Sequence, residues 1–155
     1  MEPLLAAIQG SDLALALRFS RWSYAAVNTA HVLGIALLVG AIIPLDLRLL
    51  GLWSSAERDA LVRVLVPVAA TGLVLAVTAG SLLFSVRAVD YAALPILWVK
   101  LVLVVLGLGS ALALHLVYGL SLERASRRRL AQAAALSLTC WLGALIAGRM
   151  IAFVR

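Results

Sequence analysis

Four long apolar runs, separated by short polar stretches rich in arginine, organise the chain: about Trp22–Leu49, Leu61–Val86, Pro95–Leu120 and Leu130–Phe153. Each exceeds the about 20 residues that cross a bilayer as a helix, so each is predicted to span a membrane, with tilt or a helical extension taking up the excess. Short links make consecutive spans antiparallel neighbours. The predicted fold is therefore all-α and integral to the membrane: an antiparallel four-helix transmembrane bundle with a short N-terminal interfacial helix. Residues 1–21 form the interfacial segment and 22–155 the bundle. Ser11 and Asp12 are capping residues for a helix over Leu13–Ser20, giving one or two short helices before the first span. Arg18, Arg21, Trp22 and Tyr24 mark the first water boundary. The opening residues include Glu2 and Pro3 where a signal peptide would be basic, and no cleavage pattern follows, so a cleaved leader is not expected.

Composition agrees with the pattern. Of 155 residues 65% are hydrophobic and 13% charged, with a mean hydropathy of +1.11. Four spans and their links leave no room for a separate soluble domain. The net charge of +6 resides in arginines at span ends, where topology and anionic lipid account for it, so no nucleic-acid partner is expected. Arg48, Arg58 and Arg63 flank the first loop, and Arg124, Arg127, Arg128 and Arg129 the third; Arg18, Arg21, Arg87 and Arg155 lie at the opposite end. The positive-inside bias makes the first and third loops cytoplasmic and both termini external. Cys140, the single cysteine, lies within a span and reads as a small packing residue.

Small residues four apart allow membrane helices to approach closely. Gly72, Ala76 and Gly80 make the second span a packing helix, and Gly107 with Ala111, Gly109 with Ala113, and Ala144 with Gly148 repeat the register. Pro44 and Pro67 are expected to bend or begin helices.

The polar residues inside the spans carry the candidate chemistry, because an ionisable group in hydrocarbon is costly unless paired or liganded. The only two histidines, His31 and His115, both lie there. Counting about 1.5 Å per residue divides these groups into two layers. An outer layer holds Tyr24, Asn28 and His31, on one face of the first span, with Lys100, Arg149 and Met150 at comparable height. An inner layer gathers Asp46 and Arg48 with His115 and Tyr118; there Asp46 could pair with His115 or Arg48, or simply cap the span. The two histidines differ in height by about 15 to 20 Å, which disfavours one iron clamped by both.

The stretches HVLGIALLVGAIIPLDLRLLGL, YAALPILWVK, HLVY and AGRMIAF resemble a bacterial family of small four-span membrane proteins of unknown function. More distantly they resemble the membrane part of CopD-type copper proteins and the four-helix b-type cytochromes. The likeness runs from Trp22 to Phe153. It implies a multi-pass protein of the bacterial inner membrane with a haem b between helices, a histidine ligand, and basic side chains near the propionates. On this chain His31 would be the ligand, with Lys100 and Arg149 near the propionates. Three arrangements stand open: two haems, one per layer, with Met150 or a second copy of the chain completing the ligands; one haem or metal at His31, with His115 in a structural or proton-relay role; or no cofactor, with each histidine hydrogen-bonded across helices. Copper is the weaker metal reading, since Met1, Met150 and Cys140 form no soft-ligand cluster.

Two functions follow. One is electron transfer through an embedded haem, exchanging electrons with quinone or another redox partner. The other is a cofactor-free scaffold or accessory subunit, as a homo-oligomer or in a larger membrane complex. No serine, cysteine or acid pair has the spacing of a hydrolytic centre, so an electron carrier or accessory protein is preferred over an enzyme.

Overall fold

The computed structural model of the chain describes residues 2–119, 122 and 125–154. Met1, Leu120, Arg124 and Arg155, which enter the expectations above, lie outside them. Seven helices follow in order: α1 (Glu2–Gln9), α2 (Asp12–Phe19), α3 (Arg21–Leu50), α4 (Arg58–Val86), α5 (Ala88–Ala92), α6 (Pro95–Tyr118) and α7 (Arg127–Met150). α3, α4, α6 and α7 are the four helices long and apolar enough to cross a membrane. This is an all-α four-helix bundle of a multi-pass membrane protein.

Local chemistry sets the helix ends. Ser11 accepts from the Ala14 amide and starts α2, Ser20 accepts from the Ser23 amide and starts α3, and Ser126 accepts from the Arg129 amide and starts α7. α3 stops at Gly51, whose φ of 108° lets its amide bond the Arg48 carbonyl while the Leu52 amide returns to Leu47. Arg48 then ties down the first loop, donating from Nε to the Ala56 carbonyl at 2.8 Å and from Nη2 to the Ser54 carbonyl at 3.2 Å. Pro95 opens α6, where its missing amide costs no helical bond. Pro44 and Pro67 lie within α3 and α4, so neither begins a helix.

The closest packing is between α3 and α4. A Cβ on Gly34 would stand 2.5 Å from the Ala76 nitrogen, and one on Gly72 would stand 2.5 Å from the Leu38 nitrogen and 2.8 Å from the Gly34 carbonyl. The two backbones therefore touch directly. α7 packs on the other side of α3, and α6 packs on α7. The resulting order in space is α4, α3, α7, α6.

The arc is not closed. The second and third spans, consecutive in sequence and expected to be neighbours, have no Cα pair within 8 Å of one another. Two features explain the gap. The link between them contains a helix of its own, α5, which sets their ends apart, and the small residues of α4 are committed to α3. At the terminal end α1 packs against α5, pinned where Gln9 Oε1 accepts the Val89 amide at 3.2 Å, and α2 packs against α3 and α4. At the loop end the bundle is filled by Leu49, Leu122, Leu130 and Ala134, with Leu114 and Tyr118 against them.

The glycine crossing yields a stability prediction. Gly34→Val should destabilise the detergent-solubilised protein by at least about 3 kcal/mol, because its branches meet backbone that cannot yield. Gly109→Ala, at a position with nothing within 4 Å, should leave the thermal unfolding midpoint unchanged or slightly raised. Equal melting of the two variants would contradict the assigned crossing.

Candidate functional site

The open side of the arc encloses a cavity of about 980 Å³. α3 and α7 form its back, α4 and α6 its sides, and α1 and α5 its roof, so it faces the surrounding hydrocarbon between α4 and α6. Its walls are largely apolar, and among the polar groups reaching it are His31, Lys100, Tyr24 and Asn28.

The geometry of His31 follows from the α3–α4 crossing. His31 is one turn before Gly34, so where the backbones touch its ring is laid across α4. Its Nδ1 lies 2.8 Å from the Ala76 carbonyl oxygen. A carbonyl only accepts, so Nδ1 carries the proton and donates; in the neutral ring Nε2 then keeps its lone pair and has no protein partner among the described residues. Gly80 makes room for the ring: a Cβ there would lie 2.9 Å from Cε1 and 3.1 Å from Nδ1. Ala76 and Gly80, one turn apart, thus supply the acceptor and the clearance. An imidazole fixed through Nδ1 by a backbone carbonyl, with Nε2 free, is the usual orientation of a protein ligand to iron.

Lys100 approaches from α6. Its stem runs over Gly148 of α7, where a Cβ would stand 3.4 Å from both Cε and Nζ. The amine has no carboxylate or hydrogen-bond partner among the described residues. Counting about 1.5 Å per residue from the terminal ends of α3 and α6, His31 is about 15 Å deep and Lys100 about 8 Å. An imidazole and, nearer the terminal end, an amine therefore line the same largely apolar chamber.

The structure separates the remaining candidates. Tyr24 and Asn28 line the chamber's back wall toward the terminal end of α3. Arg149 is exposed, with its guanidinium 4.8 Å from the Phe153 ring centre, and is not a wall residue. Met150, 43% exposed, is likewise outside the wall. His115 lies in the last turn of α6, about 15 Å deeper than His31 along the bundle and apart from the chamber. Its Nδ1 is buried without a partner, as is Oδ2 of Asp46, so the two do not bond through these atoms. Asp46, 5% exposed, has the Ser137 side chain of α7 as its hydrogen-bonding neighbour, while Arg48 serves the first loop instead. Among the described residues, no three of His, Cys, Asp and Glu gather as a metal cluster.

Sequence reasoning gave Gly80 and Gly148 packing roles only, whereas they seat His31 and Lys100. It passed over Gly34 altogether, although the spacing His31–Gly34 puts both on one helix face. No protein-family model matches the chain, and no curated protein or solved structure is detectably similar to it.

The tautomer can be read directly. In ¹⁵N-histidine-labelled protein, His31 should show a protonated Nδ1 and an unprotonated Nε2 at neutral pH. Gly80→Val should abolish that signature by displacing the ring. A His31 protonated at Nε2 alone would contradict the Ala76 bond.

Proposed function

We propose that this protein is a b-type haem protein of the bacterial inner membrane that passes electrons, in which His31 would hold the iron through Nε2 and the chamber between α4 and α6 would take the haem. The observation carrying this reading is the fixed Nδ1–H to Ala76 bond, which leaves Nε2 without a protein partner on a residue that lines a cavity of about 980 Å³. A single imidazole in an apolar slot suits a macrocycle that brings its own four donors better than a bare ion, which needs several protein ligands. Bound there, haem would supply one-electron redox chemistry. Lys100 would pair with a propionate, and Tyr24 and Asn28 would offer hydrogen bonds toward the terminal end of the chamber. Arg149 and Met150 lie outside the chamber and are left out of the ligand set proposed here, and His115 is assigned to a separate inner position.

The lateral opening suits exchange of electrons with a lipid-soluble quinone arriving from the bilayer. Arginine placement favours termini on the periplasmic side. A second reading, a cofactor-free scaffold or accessory subunit in a homo-oligomer or larger complex, is favoured by α6, only 6% of whose span is buried within the chain. That face meets lipid or another subunit.

Absorption spectroscopy separates the two readings. Protein purified in detergent from haem-replete cells should show a Soret band and about one haem per chain by pyridine haemochrome assay. His31→Ala should lose both, His115→Ala should keep both, and Lys100→Gln should weaken retention by about tenfold, the effect of losing roughly one charged contact. A colourless wild-type protein that folds normally overturns the haem reading.

A further inference from the structure

A second cavity, of about 440 Å³, opens at the same end of the bundle where α2 meets α3 and α4. Three arginines line it: Arg18 from the last turn of α2, Arg21 from the start of α3, and Arg87 just beyond α4. One carboxylate offsets them, since Arg87 Nε donates to Asp90 Oδ2 at 2.8 Å. Arg18 and Arg21 have no carboxylate or hydrogen-bond partner among the described residues; Arg21 lies 5.9 Å from the Trp22 ring centre. Three arginines around one cleft, two of them without a carboxylate, leave positive charge that an anion can join, and the planar guanidinium fork matches phosphate oxygens.

The surroundings indicate what carries the anion. Leu83 and Val86, at the end of the α4 span, form the apolar side of the cleft. Phe19 and Trp22 beside it are 82% and 78% exposed, as aromatic residues are at the level of lipid headgroups. An anion with an apolar tail meets both halves of this site, whereas a small hydrophilic anion meets only the arginines.

We propose that this cleft binds the phosphodiester headgroup of an anionic phospholipid, with an acyl chain descending along α4 past Leu83. The site is independent of the haem reading. It abuts the larger chamber, since Tyr24 and Leu83 line both.

Native mass spectrometry of the full chain, released from nanodiscs of mixed phosphatidylcholine and phosphatidylglycerol, tests the proposal. Phosphatidylglycerol should be retained in preference to phosphatidylcholine, and Arg18→Gln/Arg21→Gln should weaken that preference at least about tenfold at unchanged helical circular dichroism. If the double variant loses helicity, Arg21→Gln alone is measured, with a smaller loss of the same sign expected. Equal retention of both lipids, or a preference unchanged in the variant, overturns the proposal. Titration with inorganic phosphate in pure phosphatidylcholine nanodiscs identifies the source. Saturation by free phosphate without lipid preference overturns the lipid assignment and leaves a site for soluble phosphate.

Discussion

The contact on which the rest depends is the crossing of α3 over α4 at Gly34 and Gly72, where no side chain separates the backbones. In hydrocarbon, helices gain little from burying apolar surface against one another, because lipid tails are equally apolar; close van der Waals contact takes over that role. The crossing is specific because it is intolerant. Any residue larger than glycine at either position would meet main-chain atoms at 2.5 to 2.8 Å. It also commits the small-residue face of α4 to α3, leaving α4 without contact to α6 or α7.

Two halves of unlike character result. Toward the loops the space between α3, α6 and α7 is filled by leucines, and Asp46 is enclosed against Ser137. Toward the termini it is hollow, roofed by α1 and α5 and open to the side. His31 lies on the hollow side because it is one turn from Gly34, so one contact both closes the helix pair and positions the imidazole. The packed half gives the bundle rigidity against which a side chain in the hollow half can be held at fixed height.

Much of this was legible in the sequence, and what was not has definite causes. Hydropathy located the four spans within a few residues, because span length and apolarity are properties of each segment alone. The cap at Ser11 was legible because it depends on a short-range hydrogen bond that the local residues specify, whereas the equally local cap at Ser20 and exit at Gly51 were not singled out. Neighbour relations are another matter. The expectation that the second and third spans touch rested on the shortness of their link, whereas residues 88–92 of that link fold as a helix and hold the ends apart. Depth counting put His31, Lys100 and Arg149 at similar heights, but height says nothing of azimuth. Arg149 turns out toward Phe153 while Lys100, at much the same level, lies in the chamber wall. Gly80 and Gly148 illustrate the same limit: a glycine in a small-residue register reads identically whether a helix or a side chain lies against it.

His31 and Lys100, two of the polar residues lining the chamber, do not carry equal weight. Lys100 is only about 8 Å from the start of its helix, within reach of water for a long flexible side chain, so its amine can be solvated without any ligand. His31 has no such freedom. Its ring is held between the Ala76 carbonyl and Gly80, and its second nitrogen is left as a lone pair about 15 Å into the bundle, where a short, rigid side chain cannot turn toward water. A histidine needed only to bridge two helices could be satisfied at the packed crossing. This one is satisfied on one edge only and lines a large apolar space, and the ligand role proposed for it rests on that difference.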